Sequence, residues 1–243
     1  NGGANSFAWH VDSTLKSGNE YKIPGVAKSR QLRELQAEGE EPEDEHGEIA
    51  GVLPGSQFDS FSAAAGISIV GDWGFLGGAV STMASDYGLP GGHEHHDEDD
   101  HDGGEHSPFP DSFDETATLK LDQTRVDIEL AVMDPFESFS SFNTRIGFND
   151  YEHVEREPNG EIGTTFTNEA WEARAELGYE GESSGTLGMQ YGFRKFSALG
   201  VESFVPPVNT NEIGLFWVGE RLFDSFEIEV GARLGRVAHD PKT

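Results

Sequence analysis

Hydrophobic residues recur at every second position along much of this chain, the period of a strand with one buried face. Phe7, Trp9, Val11 and Leu15 are apolar, while the intervening Ala8, His10, Asp12, Thr14 and Lys16 are small or polar. The split returns with Phe61, Ala63, Ala65, Ile67 and Ile69, and again with Val126, Ile128, Leu130 and Val132 against Arg125, Asp127, Glu129 and Ala131. Segments beginning at Phe142, Trp171, Leu187 and Ile228 repeat it, and two more, near 75–87 and 210–222, are apolar on both faces. The pattern predicts an all-β fold of about nine strands.

The expected connections alternate in length: 17–56, Gly71–Gly74, 88–112, Asp134–Ser138, 154–163, Glu180–Ser184, 197–209 and Phe223–Ser225. Antiparallel strands alternate in direction, so the long connections collect on one rim and the short ones on the other. That asymmetry predicts an antiparallel transmembrane β-barrel with long external loops and short periplasmic turns. A soluble sandwich would explain the alternation, with the apolar face as its core, but gives no reason for the segregation. The longest nearly apolar run, Ala63 to Val70, is far below the ~18 residues of a spanning helix, so a membrane role would have to use strands. Tyr179, Phe223 and Phe226 near strand ends fit an interfacial girdle, and equally the ordinary preference of aromatics for strands.

Composition narrows the functions. With 16 basic and 45 acidic residues the net charge is −29, which disfavours nucleic-acid phosphates and anionic lipid surfaces and favours divalent cations. There is no cysteine, so disulfides, thiolate metal sites and cysteine nucleophiles are excluded while the compartment stays open. No nucleophile elbow, phosphate loop or HExxH motif is present, and an enzyme is not expected. Arg30 to His46 is helix-compatible until Gly39 and Pro42, and reads as part of a long, mostly disordered acidic external loop.

The sharpest chemistry is Gly91 to His106, GGHEHHDEDDHDGGEH, with five histidines and seven carboxylates between glycines. Imidazole and carboxylate together suit zinc, with copper and nickel equally acceptable to such ligands. The candidate ligands are His93, His95, His96, Asp97, His101 and His106, the last two joining if the loop folds back at Gly103 and Gly104. The alternative is a solvated polyanionic loop. On the polar parity of the strands, His10, Asp12, Glu129 and Glu172 are possible waypoints for a metal, or plain wet wall residues.

Several phrases occur in a telling order: YKIPG at 21–25, DYGLPG at 86–91 opening the histidine tract, LDQTRVDIEL at 121–130 and NDYEHVE at 149–155. GTTFTNEAWEARAEL at 163–177, FSALGVESFVPP at 196–207 and EVGARLGRV at 229–237 follow. In these the chain resembles TonB-dependent outer-membrane receptors of the zinc-uptake subgroup, over essentially its whole length. The resemblance implies that residues 1–243 are part of one barrel domain of about 22 strands, lacking the plug and the remaining strands. It implies an outer-membrane location, lipid and divalent metal as partners, and a TonB energising complex acting through the plug. The chain opens at Asn1 without a signal segment, as it would if a targeting sequence were removed or if it were an excerpt of a longer protein, and the strand count favours the excerpt. A barrel receptor for a metal chelate or other organic ligand, and a soluble metal-buffering β protein, are the competing expectations.

Overall fold

A computed structural model describes residues 1–27, 29–31, 49–90, 116–200, 203 and 205–242. The chain is almost wholly antiparallel β. The described residues form twelve strands: β1 Gly2–Ala4, β2 Phe7–Gly18, β3 Tyr21–Val26, β4 Ala50–Leu53, β5 Phe58–Gly71, β6 Gly74–Gly88, β7 Thr118–Phe136, β8 Phe139–Arg156, β9 Ile162–Tyr179, β10 Ser184–Gly200, β11 Val208–Leu222 and β12 Glu227–Pro241. Ten make one sheet in the order β1-β2-β5-β6-β7-β8-β9-β10-β11-β12, an up-and-down meander in which each strand pairs with its neighbours in the chain. Nine of these are the strands that the alternation predicts. The tenth, β1, is a three-residue edge piece.

The sheet is a single open layer among the described residues. Each strand packs only on the strands it is hydrogen-bonded to, and β1 and β12 are free edges. Among the described residues the only buried apolar side chains are Ala117, Leu119 and Ala198, and no large side chain is fully buried. A sandwich would place a second sheet ~10 Å away over the apolar face. None stands there.

Three expectations are corrected. The 17–56 connection, expected as loop, contains the two-stranded sheet of β3 and β4; Pro24 and Gly25 in YKIPG break the alternation that would reveal it. Most of Arg30 to His46 lies outside the described residues. The strands also run much further than the apolar alternation, with β7 reaching 19 residues and β8 and β9 18 each. Consequently the 154–163 connection shrinks to a turn over 157–161, closed by Glu157 N donating to Glu161 O at 2.9 Å and by Gly160 at φ 83°. Loop length is therefore less cleanly segregated than the sequence implies, although the two longest connections, 19–57 and 89–117, do share one rim.

The reason for the longer strands is an inversion. On β7 the even parity is apolar from Val132 to Val126 and then turns polar at Thr124, Asp122 and Lys120, while the odd parity turns apolar at Leu121 and Leu119. Backbone pairing continues through this change, with Leu121 opposite His153 and His153 opposite Phe166. The opposite rim is tight. Gly74 at φ 127° brings its backbone against Ala131 O, a position with no room for a Cβ, and Met133 N donates to Trp73 O at 2.8 Å, tying neighbouring turns together.

Candidate functional site

The two-residue strand period gathers most of the large apolar side chains of the middle sheet on one face. One register row joins Trp9, Ile67, Gly78, Ile128, Ile146, Ala173, Tyr191 and Ile213. The next joins Ile69, Leu76, Leu130, Thr144, Ala175, Met189, Leu215 and Leu234. These side chains are uncovered: Ile128 is 45% exposed, Met189 48% and Leu234 75%. A continuous apolar belt across nine strands is far beyond the few hundred Å² that soluble monomers leave bare.

The belt has sharp upper and lower margins, and it runs obliquely to the register. On β8, β9 and β10 the row Phe148, Trp171 and Phe193 gives way directly to Asp150, Glu169 and Lys195. On β5 the belt continues up to Phe61, below Asp59; on β12 it stops at Leu234, below Arg236. Leu234 stands in the row of Ile69, eight residues along β5 from Phe61. At ~3.3 Å per residue that is a fall of ~26 Å across seven strand spacings of ~4.8 Å, a slope of ~38°. Aromatics mark both margins. Phe148 and Trp171 are in ring contact at 4.5 Å on the upper one. On the lower one Trp217 Nε1 donates to Tyr179 Oη at 3.0 Å, and the Tyr179 ring fills the place where Gly185 lacks a side chain. Phe223 and Phe226 stack at 4.7 Å beyond it.

The other face of the same strands is charged and internally neutralised. Arg125 binds Asp127 through two nitrogens, both at 2.7 Å, Arg145 binds Glu129 at 2.8 Å, and Arg174 binds Glu176 at 2.6 Å. Arg233 lies 3.6 Å from Glu212 and reaches Gln190 across Gly214. The Arg174 guanidinium sits 4.4 Å over the ring of Phe216, which itself occupies the space above Gly188. Exposed pairs of this kind contribute ~0–1 kcal/mol each; their larger effect is to hold the side chains in place. Of the four waypoints nominated from sequence, Glu129 is held by Arg145, and His10 and Asp12 are hydrogen-bonded to each other. Glu172 stands one row away from Glu129, with Gly147 and Gly192 as its cross-strand neighbours. Among the described residues no three His, Asp or Glu side chains converge as a metal site. Arg125–Asp127 and Arg174–Glu176 are two-residue pairs on one strand face that the period could have signalled, whereas Arg145–Glu129 and Arg233–Glu212 cross strands and are read only from register.

His93, His95, His96, Asp97, His101 and His106 lie outside the described residues. The stem of their loop is described. Leu89 N donates to Ala117 O at 2.9 Å and Gly88 N to Gln57 O at 3.1 Å, so both ends of the histidine loop are pinned to each other and to the first long connection. That connection is fixed in turn by Tyr21 N donating to Ser56 Oγ at 2.8 Å and Ser56 Oγ donating to Leu53 O at 2.6 Å. At this junction lies a groove of about 470 Å³ lined by Lys16, Tyr21, Phe58 and Tyr87, with no acid or histidine in its lining among the described residues. No family model matches the chain.

Proposed function

We propose that the chain is part of an outer-membrane β-barrel receptor of the TonB-dependent, zinc-uptake kind, whose residues 91–106 gather a divalent transition metal outside the barrel and deliver it to the lumen for energised import. The observation that carries the membrane half is the slanted belt. Strands of a transmembrane barrel tilt by 35–45°, so a lipid band of constant height must cut their register obliquely, and a slope of ~38° fits. On β9 the belt from Trp171 to Tyr179 covers ~26 Å of strand, or ~21 Å of height at that tilt, close to the ~25 Å apolar band of outer-membrane barrels. The free edges β1 and β12 are where further strands would pair.

The metal half rests on the histidine tract and its anchored stem. Adaptable imidazole and carboxylate ligands on an anionic loop raise local metal concentration and release more readily than a closed four-ligand cage. The energising complex would act through a plug, which the family resemblance implies. The test is uptake of labelled zinc by cells carrying the full-length protein. Replacing His93, His95, His96, His101 and His106 with Ala should lower uptake at limiting zinc with surface expression unchanged. The aromatic groove at the loop stem, lined by Tyr21, Phe58 and Tyr87, favours a second reading, an organic ligand or metal chelate; uptake indifferent to the histidines and to competing free zinc would select it.

A further inference from the structure

The groove of about 470 Å³ at the stem of the histidine loop is in the size range of small-ligand sites. It lies on the face opposite the belt, at the rim of the long connections. Two adjoining register rows build it: Lys16, Ser60 and Ser85 are cross-strand neighbours on β2, β5 and β6, and Gly18, Phe58 and Tyr87 form the row beyond them. Tyr21 and Leu53, a cross-strand pair of the small sheet β3–β4, close the third side. The walls are set by close approaches. The Phe58 ring occupies the space where Gly18 lacks a side chain, and a Cβ on Gly88 would strike the backbone of Gly55. Lys16 is the one charged side chain in the lining among the described residues. Among those residues its ammonium has no ion-pair partner, and the Ser60 hydroxyl on the next strand stands beside it as a second donor.

The geometry points to a site for an aryl carboxylate, with the carboxylate on Lys16 and Ser60 and the ring between Tyr21 and the Phe58–Tyr87 row. The two rows are two residues apart along the strands, ~6.6 Å, a spacing that suits an anion joined to a flat ring by a short link. A free metal cation finds no acid or histidine among the described lining residues. A neutral ring would leave the ammonium without an anion, and an aliphatic acid would forgo the stacking that the three aromatic side chains offer. The inference rests on the second reading above, an organic ligand at the loop stem, and gives that ligand its chemical class.

The test is titration calorimetry of the full-length protein in a nonionic detergent with three probes: phenylacetate, the neutral phenylacetamide and the non-aromatic hexanoate. Phenylacetate should bind about tenfold more tightly than either of the others, equivalent to ~1.4 kcal/mol. Lys16→Gln should bring phenylacetate down to the level of phenylacetamide and leave phenylacetamide unchanged. Tyr87→Leu should weaken both aromatic probes and spare hexanoate; circular dichroism of the variants checks the fold. No binding of phenylacetate by the unaltered protein, equal affinity for the acid and its amide, or a discrimination that survives Lys16→Gln overturns the groove assignment. The second reading fails separately: zinc uptake that follows the histidines alone removes it as a transport route, while phenylacetate binding that follows Lys16 leaves the groove site standing.

Discussion

Replacing Met189 with Arg tests the two-faced wall at its most sensitive point. On β10 the belt extends from Gly185, in the row of Tyr179, to Phe193, in the row of Trp171, and Met189 is its midpoint. Each margin is four residues away, ~13 Å of strand and ~10 Å of depth at a tilt of ~38°. A lipid-facing Arg at mid-bilayer costs ~2–4 kcal/mol, falling toward ~0–1 at the interfaces. The control belongs on the charged face. Gly188 is unsuitable, because the Phe216 ring already fills the space above it. Gly192 is better: a Cβ there meets only Glu212 Cβ at 3.7 Å, and its cross-strand neighbours are Glu172 and Glu212. Gly192→Arg would set a guanidinium between two carboxylates and should cost less than ~0.5 kcal/mol or stabilise slightly. Reversible denaturant unfolding of the full-length protein in lipid vesicles measures both. Equal losses for the two variants, or a larger one for Gly192→Arg, would refute the assignment of the apolar parity to lipid.

Epitope tags inserted at Glu41 and Gly103 should both be reached by antibody on intact cells, since the connections that carry them leave the same rim; protection of either contradicts that topology. A peptide covering Gly91 to His106 should bind zinc at about pH 7.5 and lose most of it by about pH 5.5, because imidazole, with a reference pKa of ~6.5, must be neutral to bind metal. Calorimetry should also show that replacing His93, His95 and His96 with Ala weakens zinc more than replacing Asp97, Asp99 and Asp100 with Asn, whereas binding that follows the aspartates would reduce the tract to a polyanionic loop. Gly188→Ala should destabilise by ~1–3 kcal/mol by driving Phe216 from its seat and Arg174 from the ring, and combining it with Phe216→Ala should recover part of that loss in the same unfolding assay.

Much of this wall was legible in the residue order, for a local reason. A strand sends successive side chains to opposite faces, so Val126 to Val132 and Trp171 to Tyr179 declare both their conformation and which side is greasy without reference to any partner. The histidine tract is likewise a matter of composition, and its chemistry is known from sequence alone. Other features depended on partners distant in the chain. Lys120 and Asp122 read as the end of a strand because the alternation inverts there, yet the backbone goes on pairing with Val154 and Glu152, and hydrogen bonding is indifferent to polarity. β3 and β4 stayed hidden because a Pro-containing six-residue strand and its four-residue mate have no period to read. The Arg145–Glu129 pair and the slope of the belt exist only once register sets Arg145 opposite Glu129 and Leu234 in line with Ile69. Sequence records polarity along each strand, whereas the oblique band that suits a bilayer is a relation between strands, decided by how far each slides against the next.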